Sequence, residues 1–162
     1  MKLQAAHEFA APPERVAAAM TDPAFAIGLV GLPDVGRVEV VESVPGAASA
    51  VLTIRMVYDG ALDPVAARVL GSSTPSWLQT YQVGVAGGTL TISPEHHGSL
   101  LRCRADIAFT DTAEGCRRTM TGELTVRVPL VGGRAERALA PAINARIDVE
   151  AELLRWWLSD GA

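Results

Sequence analysis

Lysine is nearly absent from this chain: Lys2 is the only one among 14 basic residues, the rest being arginine. Acids outnumber bases and the formal net charge is -4. That excludes a general nucleic-acid binder, which needs a basic face. The arginine bias, with abundant alanine, fits the codon usage of a GC-rich bacterial genome. Cysteine is scarce too. Cys103 and Cys116 have no motif spacing, so neither a disulfide framework nor a thiolate metal site is expected. No segment approaches the roughly 18 uninterrupted apolar residues of a membrane span. The opening MKLQAAHEFAAPP has no apolar core of the kind a signal peptide carries, so a cytoplasmic location is expected. There is no Gly-x-Ser-x-Gly elbow, and neither cysteine sits in an activating setting. His96 and His97 are adjacent, and neighbours on a strand point to opposite faces. No clear third ligand follows them, so no metal and no cofactor is expected, and PEHHGS reads as a solvated hairpin loop. His7 stands alone beside Glu8, which suggests a surface or strand-edge role.

What is present is size and pattern. The 162 residues suit one domain over 1–162, able to bury about two-thirds of its unfolded surface without a metal or disulfide. Residues 2 to 9 suit a strand. Pro12 and Pro13 open an amphipathic helix over 13–20, since proline fits a first helical turn. Thr21, Asp22 and Pro23 start a second short helix reaching Leu29, and GLPDVG at 31–36 is a turn. Strands follow over 37–44, 50–58, 76–83, 89–93, 100–109 and 118–128. In LLRCRADIAF, Leu101, Cys103, Ala105, Ile107 and Phe109 oppose Arg102, Arg104 and Asp106. In RTMTGELTVRV, Met120, Leu124, Val126 and Val128 oppose Thr119, Thr121, Glu123 and Arg127. Such period-two alternation marks an antiparallel sheet with one face buried and one wet. One insert, ALDPVAARVLG at 61–71, reads as a short helix capped by Asp63 and stopped by Gly71. Lying beside GSSTP, it is expected to gate whatever the sheet encloses.

The stretch VRVPLVGGRAERAL, 126–139, turns a strand directly into the longest helix, about 131 to 158. Pro129 ends the ladder by removing a donor, and the glycines permit the change of direction. Pro141 is a candidate kink. The sheet has one apolar face and one long element to cover it. The fold class is therefore α+β, with the helix returning across the concave face and the two short N-terminal helices near one end.

That order, with the opening APPERVAAAMTDPAF, resembles the helix-grip fold of the START-like superfamily, also called SRPBCC. The closing GELTVRVPLVGGRAERAL resembles one uncharacterised bacterial branch, domain of unknown function 2505. The resemblance spans nearly the whole chain, and its motifs mark fold points rather than chemistry. It implies a curved sheet gripping a helix around a hydrophobic cavity. Relatives in the superfamily carry lipids, sterols or hormones, cyclise polyketides, or serve as domains of oxygenases and chaperone cofactors.

Two constellations are candidates for a site. Advancing about 100° per residue along the long helix gathers Arg137, Asn144, Asp148, Glu152 and Arg155 on a solvent face. Leu139, Ile143, Ile147, Leu154 and Trp157 lie opposite. Arg146 and Glu150 fall amid that apolar face, four residues apart, and are expected to pair with each other. The pair is either a structural ion pair or a polar anchor inside a cavity. On the strand at 76–83, Trp77, Gln79 and Tyr81 share one face, offering two flat walls and an orienting polar group. Small inward residues, Ala105 and Gly122, are expected to leave volume for a cavity. The expected function is binding of a hydrophobic or amphipathic small molecule, lipid-like or polycyclic, by Trp77, Gln79, Tyr81, Arg146 and Glu150. The alternatives are a polyketide cyclase or dehydratase type of enzyme, and an interaction module whose cavity is filled.

Overall fold

Alternation sets which side of each strand faces inward, and the burial follows it residue by residue. The structure is a computed structural model and describes residues 1–62, 64, 74–96 and 100–161. Among these, seven strands form one curved antiparallel sheet. They are β1 (Lys2–Phe9), β2 (Val35–Val44), β3 (Ala50–Tyr58), β4 (Ser76–Gly84), β5 (Gly87–Pro94), β6 (Leu101–Asp111) and β7 (Cys116–Val126). The order is β1-β7-β6-β5-β4-β3-β2, so the first strand closes against the last and β1 and β2 are the edges. In β6, Cys103, Ala105 and Ile107 are buried while Arg102, Arg104 and Asp106 are exposed. The insert predicted over 61–71, and with it the expected gate, falls largely outside the described residues.

Two short helices follow β1: α1 (Pro13–Met20) and α2 (Pro23–Ile27), the latter running into a 3-10 turn at Gly28–Gly31. Pro13 and Pro23 each stand in a first turn. The Asp22 side chain caps α2 by accepting from the Ala24 amide at 2.8 Å, satisfying one of the donors a helix start leaves open. The long helix, α3 (Gly132–Trp156), packs against β1 and β7 and ends in a wider π turn at Trp157–Gly161. It continues through Pro141, which faces solvent. Ile143, Ile147, Glu150 and Leu154 form its buried stripe. Arg102, Arg104 and Arg127 are all exposed, so α3 covers the apolar face as expected.

The strand-to-helix reversal works differently from the expectation. Neither Gly132 nor Gly133 has a positive φ; the left-handed residue is Leu130, with φ +68° and a fully exposed side chain. Gly132 serves close approach instead: a Cβ there would lie 2.3 Å from the Val126 carbonyl oxygen. Gly122 does the same on β7. Its added Cβ would stand 2.3 Å from the Arg104 carbonyl oxygen and 2.6 Å from the Ala105 Cβ. Ala105 and Gly122 are therefore strand-contact positions and open no cavity volume.

Candidate functional site

Between the sheet and α3 lies a cavity of about 400 Å³. Its closed end is made by Gln79, Leu90, Ile143, Ile147 and Glu150, all buried. Its mouth lies among the first turns of α3, the end of β7, and the facing ends of β4 and β5. The lining is mostly aliphatic, which is how a site for an apolar ligand body is built. Trp77, Gln79, Arg146 and Glu150 stand in the wall. Tyr81 does not: it is buried one layer behind, between Leu52 and Leu90 in register on the neighbouring strands.

Arg146 and Glu150 do not pair. Helical spacing brings both to the cavity, but their heads go to different partners. Arg146 donates from Nε to the Pro33 carbonyl at 3.3 Å, and its guanidinium carbon lies 4.9 Å from the centre of the Trp77 ring. Glu150 reaches the closed end, where Arg118 on β7 donates from Nη1 to Oε1 at 3.1 Å. Tyr81 donates its hydroxyl proton to Oε2. Having spent that proton, the Tyr81 oxygen accepts from Nε2 of Gln79, which fixes the orientation of the Gln79 amide. Desolvation, with the Glu150 charge beside it, holds the Tyr81 phenol protonated well above its ordinary range. Tyr81 is thus a donor here, not a proton acceptor.

Arg118 has no solvent exposure. Its Nη2 lies 3.2 Å from Nδ1 of His7. Guanidinium only donates, so Nδ1 accepts and the His7 proton sits on Nε2. That nitrogen is 2.8 Å from Oδ1 of Asp148, on the exposed side of α3. Burial, reinforced by the Arg118 charge, lowers the His7 pKa below 6.5, against the pull of Asp148. Neutral imidazole is the form this geometry uses. A hydrogen-bonded chain therefore runs Asp148–His7–Arg118–Glu150–Tyr81–Gln79, from solvent to the cavity. Arg118 also lies over the Phe9 ring at 5.4 Å and points Nη1 at the Met20 sulfur at 3.6 Å. Its Nε is buried without a partner among the described residues.

His7 lies on the edge strand β1, in line with the strand-edge alternative of its expected role, but its side chain points inward rather than to the surface. Arg118 was not among the sequence candidates at all. Both lie on the inward parity of their strands, with Leu3 and Phe9 on β1 and Met120 and Leu124 on β7. That parity is the signal that points to them. His96 stands at the cavity mouth, while His97 is outside the described residues. Cys103 and Cys116 are buried, free thiols. Among the described residues no three His, Cys, Asp or Glu side chains gather as for a metal, and no helix is long and apolar enough to cross a membrane.

A curved antiparallel sheet holding one long C-terminal helix over a cavity is the helix-grip fold. Residues 4–158 match the family described as protein of unknown function, DUF2505, and the chain belongs to it. No curated protein matches the chain. Solved structures share the fold at low identity. TTHA0849 from Thermus thermophilus is 18% identical with a TM-score of 0.64, over 96% of this chain and 95% of that one. The di-domain aromatase/cyclase StfQ of the steffimycin biosynthetic pathway is 15% identical with a TM-score of 0.65. That match covers 96% of this chain and 49% of StfQ. Ara h 8.0201 is 12% identical with a TM-score of 0.59, over 98% and 97%.

Proposed function

We propose that this chain is a single-domain, cytoplasmic binding protein for a hydrophobic or amphipathic small molecule held between sheet and α3. The observation that carries this reading is the cavity of about 400 Å³, within the size range of small-molecule sites. Its mostly aliphatic lining carries two polar side chains at the closed end, Gln79 and Glu150. A volume of that size also weighs against an interaction module whose cavity is filled. Gln79 supports an orienting role. Its amide nitrogen is committed to Tyr81, and its carbonyl oxygen has no partner among the described residues.

A cyclase or dehydratase type of reaction is the second reading, favoured by one observation: a titratable side chain, Glu150, lies in an apolar wall. Against it, both Glu150 oxygens already accept from protein donors, and Tyr81 keeps its proton. Binding is the better-supported function. Titration with an uncharged apolar fluorophore such as phenylnaphthylamine tests it. Saturable binding is expected in the wild type, lost in Ile147→Trp, which fills the cavity, with melting retained. Ile143→Phe serves as a second filling variant if the first does not fold. No saturable binding by the wild type, or equal binding by a folded filled variant, overturns the reading.

A further inference from the structure

We infer that the ligand is an anionic amphiphile, its oxyanion held by Arg146 and its apolar body by the aliphatic wall. This rests on the binding function proposed above and adds the ligand's charge. Among the described residues four ionisable side chains line the cavity: His96, Arg134, Arg146 and Glu150. The one acid among them is paired with Arg118 from behind the wall at 3.1 Å. The cavity therefore presents net positive charge, although the whole chain carries -4.

Arg146 is the half-buried cation in that wall. Among the described residues no carboxylate comes within 4.0 Å of it. Its Nε alone has a protein acceptor, at 3.3 Å. Asp34 and Tyr58 act on it only through space, and burial is the larger influence on its pKa, in the direction that disfavours the charge. A guanidinium has five donors in a planar fork that matches carboxylate or phosphate. Trp77 supports the Arg146 fork from one side at 4.9 Å and leaves its terminal nitrogens without a protein acceptor among the described residues. A cation desolvated in an apolar wall is expensive unless an anion meets it. The missing partner is the ligand's oxyanion, carboxylate or phosphate.

The test uses probes with one apolar body and different heads: decanoate, decyl phosphate, decanol and decylammonium, titrated into the intact protein by calorimetry at neutral pH. Wild type is expected to bind one or both anions about ten- to a hundredfold tighter than decanol, as a charge-assisted pair requires. Comparison of the two anions tells which oxyanion is preferred. Arg146→Met is expected to erase the preference, the anions falling to about the affinity of decanol. Should Arg146→Met not fold, the wild-type ranking still decides. Equal binding of anions and decanol, or tighter binding of decylammonium, overturns the inference and leaves the binding function standing. No binding of any probe overturns the binding function itself. An Arg146→Met variant that weakens all probes equally assigns Arg146 a packing role on Trp77 and also overturns the inference.

Discussion

Removing either member of the Arg118–Glu150 pair should cost the fold heavily, because it strands a buried charge. Arg118 has no exposed surface, and Glu150 is the one carboxylate that meets it directly among the described residues. Glu150→Leu leaves that guanidinium in a low-dielectric site and deprives the Tyr81 hydroxyl of its acceptor. Breaking a buried pair from one side costs about 3–5 kcal/mol. In a domain of this size each kcal/mol moves Tm by about 2–4 °C, so a fall of roughly 6–20 °C is expected. Arg118→Met alone should cost a similar amount by leaving the carboxylate unpaired. The double replacement Arg118→Met with Glu150→Leu removes both charges and fills the space with apolar atoms, so most of the loss should return. Urea unfolding followed by circular dichroism, run on all four proteins, gives the coupling energy; about 2 kcal/mol or more is expected between directly paired groups. Single losses under about 1 kcal/mol, or a double variant equal to the sum of the singles, would refute the account of a dry pair that stands or falls together.

His7 makes stability depend on pH. Its folded pKa lies below the ordinary 6.5, so in the window beneath 6.5 the unfolded chain binds more protons than the folded one. Stability is then full above that window and falls as pH drops through it; His7→Gln should flatten the slope of the urea midpoint against pH, and an unchanged slope would point to other groups. Burial pushes the Cys103 thiol up to about 11 and raises Cys116 as well, so a thiol reagent at neutral pH should label neither in the native state and both after unfolding; fast native labelling contradicts their burial. Gly122→Ala places a methyl 2.3 Å from the Arg104 carbonyl oxygen and should cost about 2 kcal/mol or more through strand displacement, read as a lower Tm. Leu130→Asn should gain about 1 kcal/mol, because the exposed leucine occupies a left-handed conformation that asparagine tolerates better; a destabilised variant would mean that the side chain makes contacts its exposure denies.

The sheet was legible because alternation is a local signal. Arg102, Arg104 and Asp106 against Cys103, Ala105 and Ile107 settle the faces of β6 without knowledge of any other strand. The phase of α3 was legible for the same reason, and it placed Arg146 and Glu150 at the cavity. Their partners were not legible, because partner choice depends on which strands stand opposite. Four-residue spacing makes an Arg146–Glu150 pair available, but Arg118, 32 positions away, meets the carboxylate first. The parity that buries Arg118 and His7 was present, yet a charged residue on an inward row reads as an exception until a counter-charge is found. The glycines at 132 and 133 read as permitting the change of direction, whereas close approach to β7 explains Gly132 and the left-handed residue of the turn is Leu130. Tyr81 shares a strand face with Trp77 and Gln79, but it is buried between Leu52 and Leu90 and takes no part in the wall.

Native mass spectrometry of protein purified gently and without detergent tests the cavity-binding account most directly. The expected spectrum contains, beside the bare chain, a population carrying one small molecule. That mass should disappear in Ile147→Trp and, after release, run as an acidic amphiphile. A spectrum holding only the bare chain, from protein that also fails to bind the uncharged fluorophore, would contradict it.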